Sequence, residues 1–182
     1  MNKASRAELS ARPKISVIGY SGSGKSTLAG FLGERFSVPV LYLDTVQFLP
    51  GWEVRSGEEK LALVRDFLDA NDKNGWVIDG NYTKLEQERK LSESDLIVFL
   101  SFNRLSCFLR AYKRSRRFKN KSRPSMTEGC SEKFDREFRK WILIDGRNKE
   151  RRARFRGIVE KYSEKSVVIK NQRQLDKFMK SI

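Results

Sequence analysis

The chain has 182 residues, of which 38 are lysine or arginine, 23 are aspartate or glutamate and none is histidine, so its formal net charge is +15. This length suits one domain with a single buried core, and the charge favours an anionic partner, either nucleotide phosphates or a nucleic-acid backbone. The lack of histidine excludes Ser-His and Cys-His catalysis and leaves lysine, arginine and carboxylates for any chemistry.

The N-terminal segment alternates small, basic and polar residues, and it lacks the apolar run of a signal peptide or a bilayer-spanning helix. We expect residues 1–13 to form a flexible tail ahead of one domain, residues 14–182. The only cysteines, Cys107 and Cys130, are too few for a disulfide framework. We therefore expect a cytoplasmic monomer that does not contact membranes.

Residues 19–27 fit the phosphate-binding pattern G-x-x-x-x-G-K-[ST] at every fixed position. An apolar, β-branched run precedes them and apolar residues at helical spacing follow, which predicts a strand, a loop and a helix. Glycines let amide N–H groups converge on phosphate oxygens, Lys25 would reach the β- and γ-phosphates of ATP, and Ser26 would bind Mg²⁺. The predicted nucleotide contacts are Gly19, Ser21, Gly22, Ser23, Gly24, Lys25, Ser26 and Thr27. The alternative, a Gly/Ser turn with a solvated lysine, does not account for these flanks.

A second strand, Val40–Leu43, is predicted to end at Asp44. Ligands of doubly wound sheets bind beyond the carboxyl ends of the strands, so Asp44 would bind an acceptor hydroxyl or orient a magnesium-bound water. The alternative for this residue is an exposed loop aspartate or a helix cap. Trp52 follows a Pro-Gly turn and would form either a wall for a planar substrate or ordinary packing. The sequence from Ser56 to Glu59 is a capping box, which predicts another helix.

A short apolar strand, Trp76–Ile78, leads to Asp79 in a Walker B arrangement, in which a carboxylate holds magnesium directly or through water. Together with the phosphate loop, this arrangement predicts a metal site at Ser26 and Asp79. Gly80 permits close backbone approach to a ligand. Asn81 and Tyr82 offer hydrogen-bonding and stacking groups for the substrate.

The continuous apolar run Asp95–Leu100 predicts a parallel strand buried on both faces, followed by a helix capped by Asn103. Its predicted buried stripe is Leu105, Phe108, Leu109 and Tyr112. The basic residues predicted to lie outside that stripe are Arg110, Lys113, Arg114 and Arg117. With the loop-like residues 119–129, these arginines predict a mobile basic lid around residues 110–130 that closes over a triphosphate. The alternative is a solvated helix face.

Later patterns predict helices around residues 134–142 and 155–162, a last strand at Val167–Ile169 and a final helix capped by Asn171. The arginines between the two helices that could reach the phosphates are Arg147, Arg151 and Arg152, and the pattern does not distinguish them. Strands near residues 15, 40, 76, 96 and 167, separated by helices, predict a three-layer α/β/α sandwich on a five-stranded parallel sheet, a P-loop NTPase fold.

Several of these segments together resemble the bacterial DNA topology modulation, or FlaR-like, proteins, which are similar to adenylate kinase and shikimate kinase. The segments are the phosphate loop, L-x-L-D ending at Asp44, Pro50–Trp52, W-x-I-D-G-N-Y at residues 76–82 and a late basic segment. The resemblance implies a nucleoside monophosphate kinase-like fold in which Arg110 and Arg114 neutralise the transferring phosphate. Those kinases carry D-G-[FY]-P-R at this strand end, and here residues 81–83, Asn-Tyr-Thr, replace its last three positions, including the arginine that grips an acceptor phosphate.

These features predict an ATP-dependent, magnesium-assisted kinase for a small acceptor such as a nucleotide or nucleoside. The predicted catalytic residues are Lys25, Asp44, Asp79, Arg110 and Arg114, and the predicted substrate contacts are Asp44, Trp52, Gly80, Asn81 and Tyr82. The basic clusters support an alternative, an ATP-binding protein associated with nucleic acid, either in DNA topology or as a polynucleotide-end kinase.

Overall fold

The computed structural model describes residues 9–119 and 121–182. Residues 1–8 of the predicted tail and Asn120 of the predicted lid lie outside the described residues. None of the helices in the described part has both the length and the apolar character needed to span a membrane.

The secondary structure alternates strands and helices along most of the chain. The strands are β1 (Lys14–Gly19), β2 (Val40–Tyr42), β3 (Trp76–Asp79), β4 (Leu96–Leu100) and β5 (Ser166–Ile169). The helices are α1 (Lys25–Phe36), α2 (Leu43–Gln47), α3 (Gly57–Ala70), α4 (Gln87–Glu93), α5 (Arg104–Arg117), α6 (Arg136–Leu143), α7 (Lys149–Lys161) and α8 (Gln172–Ser181).

The five strands form one parallel sheet in the order β2-β3-β1-β4-β5. The chain leaves the central strand β1 toward β2 and β3 and then crosses to β4, so the connections change direction beside β1. Crevices for ligands form at such a switch point, beyond the carboxyl ends of the strands. The phosphate loop follows β1 and Asp79 ends β3, which places both at this edge.

Helices cover both faces of the sheet, as the side-chain alternation of β1 shows. Val17 is in register with Asp79, which bonds to Ser26 of α1, whereas the Ser16 hydroxyl donates to the Lys90 carbonyl of α4. Successive residues of a strand point to opposite faces, so α1 and α4 lie on opposite sides. The predicted α/β sandwich on a five-stranded parallel sheet is therefore confirmed.

Three predicted helix caps are correct, whereas α7, predicted around residues 155–162, begins at Lys149 with Asn148 as its cap. Ser56, Asn103 and Asn171 each accept a hydrogen bond from the backbone N–H three residues on, which satisfies an otherwise unpaired donor of the first turn.

The second strand is shorter than predicted. β2 ends at Tyr42 and α2 begins at Leu43, so Asp44 lies in the first turn of a short helix and not at a strand end. The helix forms here because Leu43 and Val46, three residues apart, are both buried against the core on the α3 side. Asp44 nevertheless lies at the sheet edge that was predicted, since Tyr82, just after β3, bonds to it.

The predicted buried stripe of α5 is wrong. Leu105, Leu109 and Tyr112 are 67%, 57% and 43% exposed, whereas Cys107 and Ala111 are fully buried. Of the predicted stripe, only Phe108 is partly buried against the core. The side chains of Arg110 and Arg114 therefore contact the rest of the protein, and Arg117 remains exposed.

The phosphate loop explains this rotation of α5. A Cβ atom on Gly22 would lie 2.4 Å from the Cys107 carbonyl oxygen and 3.3 Å from the Ala111 Cβ. The loop therefore lies directly on the Cys107 backbone and the Ala111 methyl group, and a larger side chain at position 111 would push the loop away from the helix. A periodicity of large apolar residues does not detect a face of this kind.

Candidate functional site

The phosphate loop has the backbone geometry that its glycines predict. Gly22 and Gly24 have φ angles of 77° and 99°, a region that favours glycine, and Gly24 is the N-cap residue of α1. No side chain caps this helix and its first turn contains no acid, so the amide groups and the positive end of the helix dipole remain available to an anion. The Lys25 Nζ donates to the Tyr20 carbonyl oxygen at 3.2 Å, which folds the lysine over the loop.

The hydroxyl residues of the loop differ in their surroundings. Ser23 is fully buried, and its Oγ has no partner among the described residues. Ser21 Oγ accepts a hydrogen bond at 3.1 Å from the indole of Trp141 on α6. Thr27 is exposed in the first turn of α1.

Ser26 and Asp79, the predicted metal ligands, are brought together. The Ser26 hydroxyl donates to Asp79 Oδ2 at 2.6 Å, while Oδ1 is buried without a partner among the described residues. Burial raises the pKa of Asp79, and Lys25 and the Ser26 hydrogen bond oppose that rise. A hydroxyl beside a carboxylate with a spare oxygen fits Mg²⁺, which commonly takes only one or two protein carboxylates. The described residues contain no cluster of three or more histidine, cysteine, aspartate or glutamate side chains that could bind a metal.

Gly80 and Asn81 contact the protein itself. The Asn81 side chain accepts from the Gly19 N–H at 3.0 Å and donates to the Gly19 carbonyl oxygen at 2.5 Å, which ties the end of β3 to the start of the phosphate loop. At Gly80 a Cβ atom would lie 2.8 Å from the Leu43 Cβ. The close approach expected at Gly80 is therefore to α2, and the Asn81 amide is engaged with the loop.

Asp44 is held by two donors. The Tyr82 hydroxyl donates to its Oδ1 at 2.8 Å and the Arg123 guanidinium donates to its Oδ2 at 2.9 Å. Burial, with Asp44 as a further cause, raises the pKa of Tyr82 and keeps its hydroxyl protonated. Asp44 itself is partly exposed, so a small molecule can approach the carboxylate while its orientation stays fixed.

Glu132 extends these contacts to α5. Arg123 Nε lies 3.2 Å from Glu132 Oε1, and Arg114 Nε donates to Glu132 Oε2 at 3.0 Å. The Glu132 side chain is only 7% exposed, and burial lowers the pKa of Arg114. We call Asp44, Tyr82, Arg114, Arg123 and Glu132 the Asp44 network. It gives Arg114 a buried acidic partner away from the phosphate loop.

Residues 121–135, here called the strap, contain Arg123 and Glu132 and lie against the end of α2. The Thr127 hydroxyl donates to the Phe48 carbonyl oxygen at 2.6 Å, and the Cys130 thiol donates to the Leu49 carbonyl oxygen at 3.2 Å. Both cysteines of the chain are buried and free. These contacts hold the strap against the residues that follow α2.

Trp52 lies beside the strap. Its ring packs edge-on against Phe48, with centroids 5.1 Å apart, and Lys133 lies 4.9 Å from its centroid. The indole N–H is buried without a partner among the described residues. Trp52 therefore lies on the α2 side of the site, where Asp44 also lies.

Arginines also surround the phosphate loop. Arg110 donates to the Ser23 carbonyl oxygen at 2.9 Å, lies 4.2 Å over the Phe102 ring and bonds to Gln172. Tyr20 is a residue of the phosphate loop, and the Arg147 guanidinium stacks 3.7 Å over its ring. Arg147 also donates to the Phe102 carbonyl oxygen at 2.9 Å.

The other two candidate arginines differ from Arg147. Arg151 stacks 4.3 Å over Trp141 and reaches the loop only through that indole. Arg152 is exposed. Of the three, Arg147 makes the direct contact with the loop.

Sequence reasoning did not identify Arg123, Glu132 and Trp141 as site residues. Arg123 is one of nine basic residues between Arg104 and Arg123, and nothing in the sequence distinguishes it from the others. Glu132 and Trp141 belong to no motif. Glu132 is one of four acids between residues 128 and 137, so neither its charge nor its position distinguishes it in the sequence.

No protein-family model and no curated protein matches this chain. Among solved structures, it is similar to a deoxyadenosine kinase from M. mycoides with bound dATP, with 16% identity, a TM-score of 0.56, and coverage of 92% of this chain and 97% of that one. It is also similar to an unliganded sugar kinase from Janibacter sp. HTCC2649, with 13% identity, a TM-score of 0.50, and coverage of 93% and 91%. At these identities the likeness concerns the fold, and this chain has the α/β fold of P-loop kinases.

Proposed function

We propose that this protein is an ATP-dependent phosphotransferase that moves the γ-phosphoryl group to a hydroxyl of a small, uncharged acceptor such as a nucleoside or a sugar. The observation that carries the proposal is the different setting of two carboxylates at one sheet edge. Asp79 is buried under Ser26, whereas Asp44 is partly exposed and oriented by Tyr82 and Arg123. Two acids in different environments suit two different roles.

The phosphate loop would bind the triphosphate of ATP. Its amide groups and the N-terminus of α1 would hold the phosphate oxygens, and Lys25 would exchange its bond to the Tyr20 carbonyl for the β- and γ-phosphates. Ser26 and Asp79 would hold Mg²⁺, which neutralises charge on those oxygens. Arg110, already bonded to the loop at Ser23, would add positive charge on the α5 side.

Asp44 would act on the acceptor. Its carboxylate would accept the proton of the attacking hydroxyl as the acceptor oxygen bonds to the γ-phosphorus. The bond between that phosphorus and the bridging oxygen then breaks, and ADP leaves with the electron pair. Tyr82 and Arg123 would fix the carboxylate so that the hydroxyl is positioned before reaction, which is the main demand of phosphoryl transfer.

The charge balance of the Asp44 network supports an uncharged acceptor. Two arginines, Arg114 and Arg123, face two carboxylates, Asp44 and Glu132, at ion-pair distances. No arginine of the network is left to bind an acceptor phosphate, and residues 81–83 lack the arginine of the monophosphate kinase pattern. Similarity in fold to a deoxyadenosine kinase and a sugar kinase agrees with a hydroxyl acceptor.

We also propose that the chain is related to the DNA topology modulation proteins and, through them, to adenylate kinase-like enzymes. The support is the continuous segment from Asp79 to Tyr82, each residue of which has a defined contact in the site. Under this proposal the family pattern positions a hydroxyl acceptor, because its tyrosine bonds to Asp44 and its asparagine holds the phosphate loop.

The test is ADP production from ATP and Mg²⁺ with panels of nucleosides, sugars, nucleoside monophosphates and oligonucleotide ends, with Lys25→Ala as the blank. We expect a nucleoside or a sugar to raise ADP production more than about tenfold, with a matching phosphorylated product by mass spectrometry. The monophosphate of the same nucleoside should give no such rise. Stimulation by monophosphates alone would contradict the uncharged acceptor, and stimulation by oligonucleotide ends alone would favour a polynucleotide kinase.

A further inference from the structure

Helices α4 and α7 enclose a small cavity on the face of the sheet opposite α1. Ser16 lines it from β1, Lys90 from α4 and Arg154 from α7. Its volume of ≈ 10 Å³ is about that of one water molecule. Toward the surface, the cavity adjoins a groove of ≈ 290 Å³ between the same two helices. Gln87 and Leu91 are among the residues that line both.

Lys90 brings a buried ammonium group to this cavity with no acid beside it. The residue is 4% exposed, and no aspartate or glutamate lines the cavity. Burial lowers the pKa of Lys90 to about 7, and Glu86 opposes the change. Glu86 is already paired with Arg65 at 2.7 Å. A lysine in this setting lacks the compensation that buried charges require.

Arg154 brings an unsatisfied donor to the same cavity. Its Nε is buried without a partner among the described residues, and burial lowers its pKa. The remaining polar groups that line the cavity, such as Ser16 and Asn81, are uncharged, and no acid lines it. The one acid in the outer groove, Glu88, is paired with Lys161 at 2.8 Å.

We propose that this cavity binds one anionic oxygen group, the carboxylate or phosphate of a ligand that enters along the groove, between Lys90 and Arg154. The bound group would satisfy both donors and supply the negative charge that the cavity lacks. The cavity can accept only the tip of such a group, and the groove would hold the rest of the ligand. The cavity shares Asn81, which also holds Gly19 of the phosphate loop, but Lys90 and Arg154 take no part in the proposed phosphotransfer.

The pH dependence of stability follows from the charge on Lys90. An unfolded lysine keeps its proton up to about pH 10.5, whereas folded Lys90 releases it above about pH 7, so Lys90 makes folding stability rise with pH between these values. A bound anion would favour protonated Lys90 and remove part of its cost below pH 7. Anion binding should therefore be strong at about pH 6 and weak at about pH 9.

The experiment is thermal unfolding of the full chain at about pH 6 and about pH 9 in sodium formate, sodium phosphate or sodium chloride of equal ionic strength. Formate probes a carboxylate, phosphate probes a phosphoryl group, and chloride carries no oxygen and controls for ionic strength. The variants are Lys90→Met, Arg154→Gln and, as a matched surface control, Lys177→Met, which removes the same charge from an exposed position.

We expect formate or phosphate to raise the Tm of the wild type and of Lys177→Met by about 3 °C more than chloride does at about pH 6. This excess should vanish at about pH 9 and in Lys90→Met, and should shrink in Arg154→Gln. Lys90→Met should also be more stable than the wild type at about pH 6, since it removes a buried charge. Equal effects of the oxygen anions and chloride, or an excess that survives in Lys90→Met, would overturn the proposal.

Discussion

The phosphate loop and the Asp44 network lie at the same edge of the sheet and are built in opposite ways. The loop is nine consecutive residues whose binding groups are mainly backbone amides, and its lysine is bonded to a carbonyl oxygen and not to an acid. The network joins side chains from α2, α5, the strap and the turn after β3, and its charges are balanced. Under the proposed function, the loop would bind the polyanionic triphosphate and the network would bind an uncharged hydroxyl.

Removing the positive charge of the loop should have the largest effect. We expect Lys25→Ala to lower kcat about a thousandfold, because no other group replaces its contact with the transferring phosphate. The measurement is steady-state ADP production with whichever acceptor the panel selects, beside Lys177→Ala as a surface control. Turnover retained by Lys25→Ala with an unchanged melting temperature would show that the loop is not the reaction site.

A substitution in the Asp44 network should change the rate of the chemical step without changing nucleotide binding. We expect Asp44→Asn to lower kcat about a hundredfold, since the amide cannot accept the acceptor proton. The affinity for a fluorescent ATP analogue should stay within about twofold, because the phosphate loop is unchanged. Exposed Asp66→Asn is the matched control. An equal loss of nucleotide binding in Asp44→Asn would mean that the two regions are not functionally separate.

The charge balance of the network can be broken at Glu132. We expect Glu132→Gln to leave Arg114 and Arg123 partly unpaired, to destabilise the fold by about 3 kcal/mol and to lower the Tm by about 8 °C. The value of kcat/KM should fall about tenfold as Arg123 loses its support. Glu128→Gln, in an exposed part of the same strap, is the control. A Tm within about 1 °C of the wild type would show that the buried pair carries little stability.

The smallest change tests orientation alone. Tyr82→Phe keeps the ring and removes only the hydroxyl that donates to Asp44 at 2.8 Å, so we expect kcat to fall about threefold with KM for ATP unchanged. Tyr112→Phe, on the exposed face of α5, should leave kcat as it is. A fall in ATP affinity with unchanged kcat would place Tyr82 in the phosphate site instead.

Local patterns predicted the parts of the molecule that depend on local chemistry. The strand, loop and helix around Lys25 follow from glycine conformation and apolar periodicity, and the capping side chains Ser56, Asn103 and Asn171 were read from short polar signals. The proximity of Ser26 to Asp79 followed from a general property of parallel sheets, in which strand ends meet at one edge.

The rest depends on contacts between distant segments. Arg123 and Asp44 are 79 residues apart, and nothing near either residue identifies the other as its partner. The buried face of α5 was mispredicted because the Cys107 backbone and the small Ala111 side chain lie against Gly22, a close approach set by the loop and not by hydrophobicity. Sequence periodicity reports apolar character, and it does not report how close two backbones come.

The close packing of α5 against Gly22 has a consequence for how the two substrates influence each other. The first half of this helix rests on the phosphate loop through Cys107 and Ala111, and its second half reaches Glu132 through Arg114. A tilt of α5 on nucleotide binding would move Arg114 and, through Glu132, the strap. Thermodynamic linkage requires the effect to be reciprocal, so an acceptor that orders the strap would tighten ATP binding by the same factor by which ATP tightens binding of the acceptor.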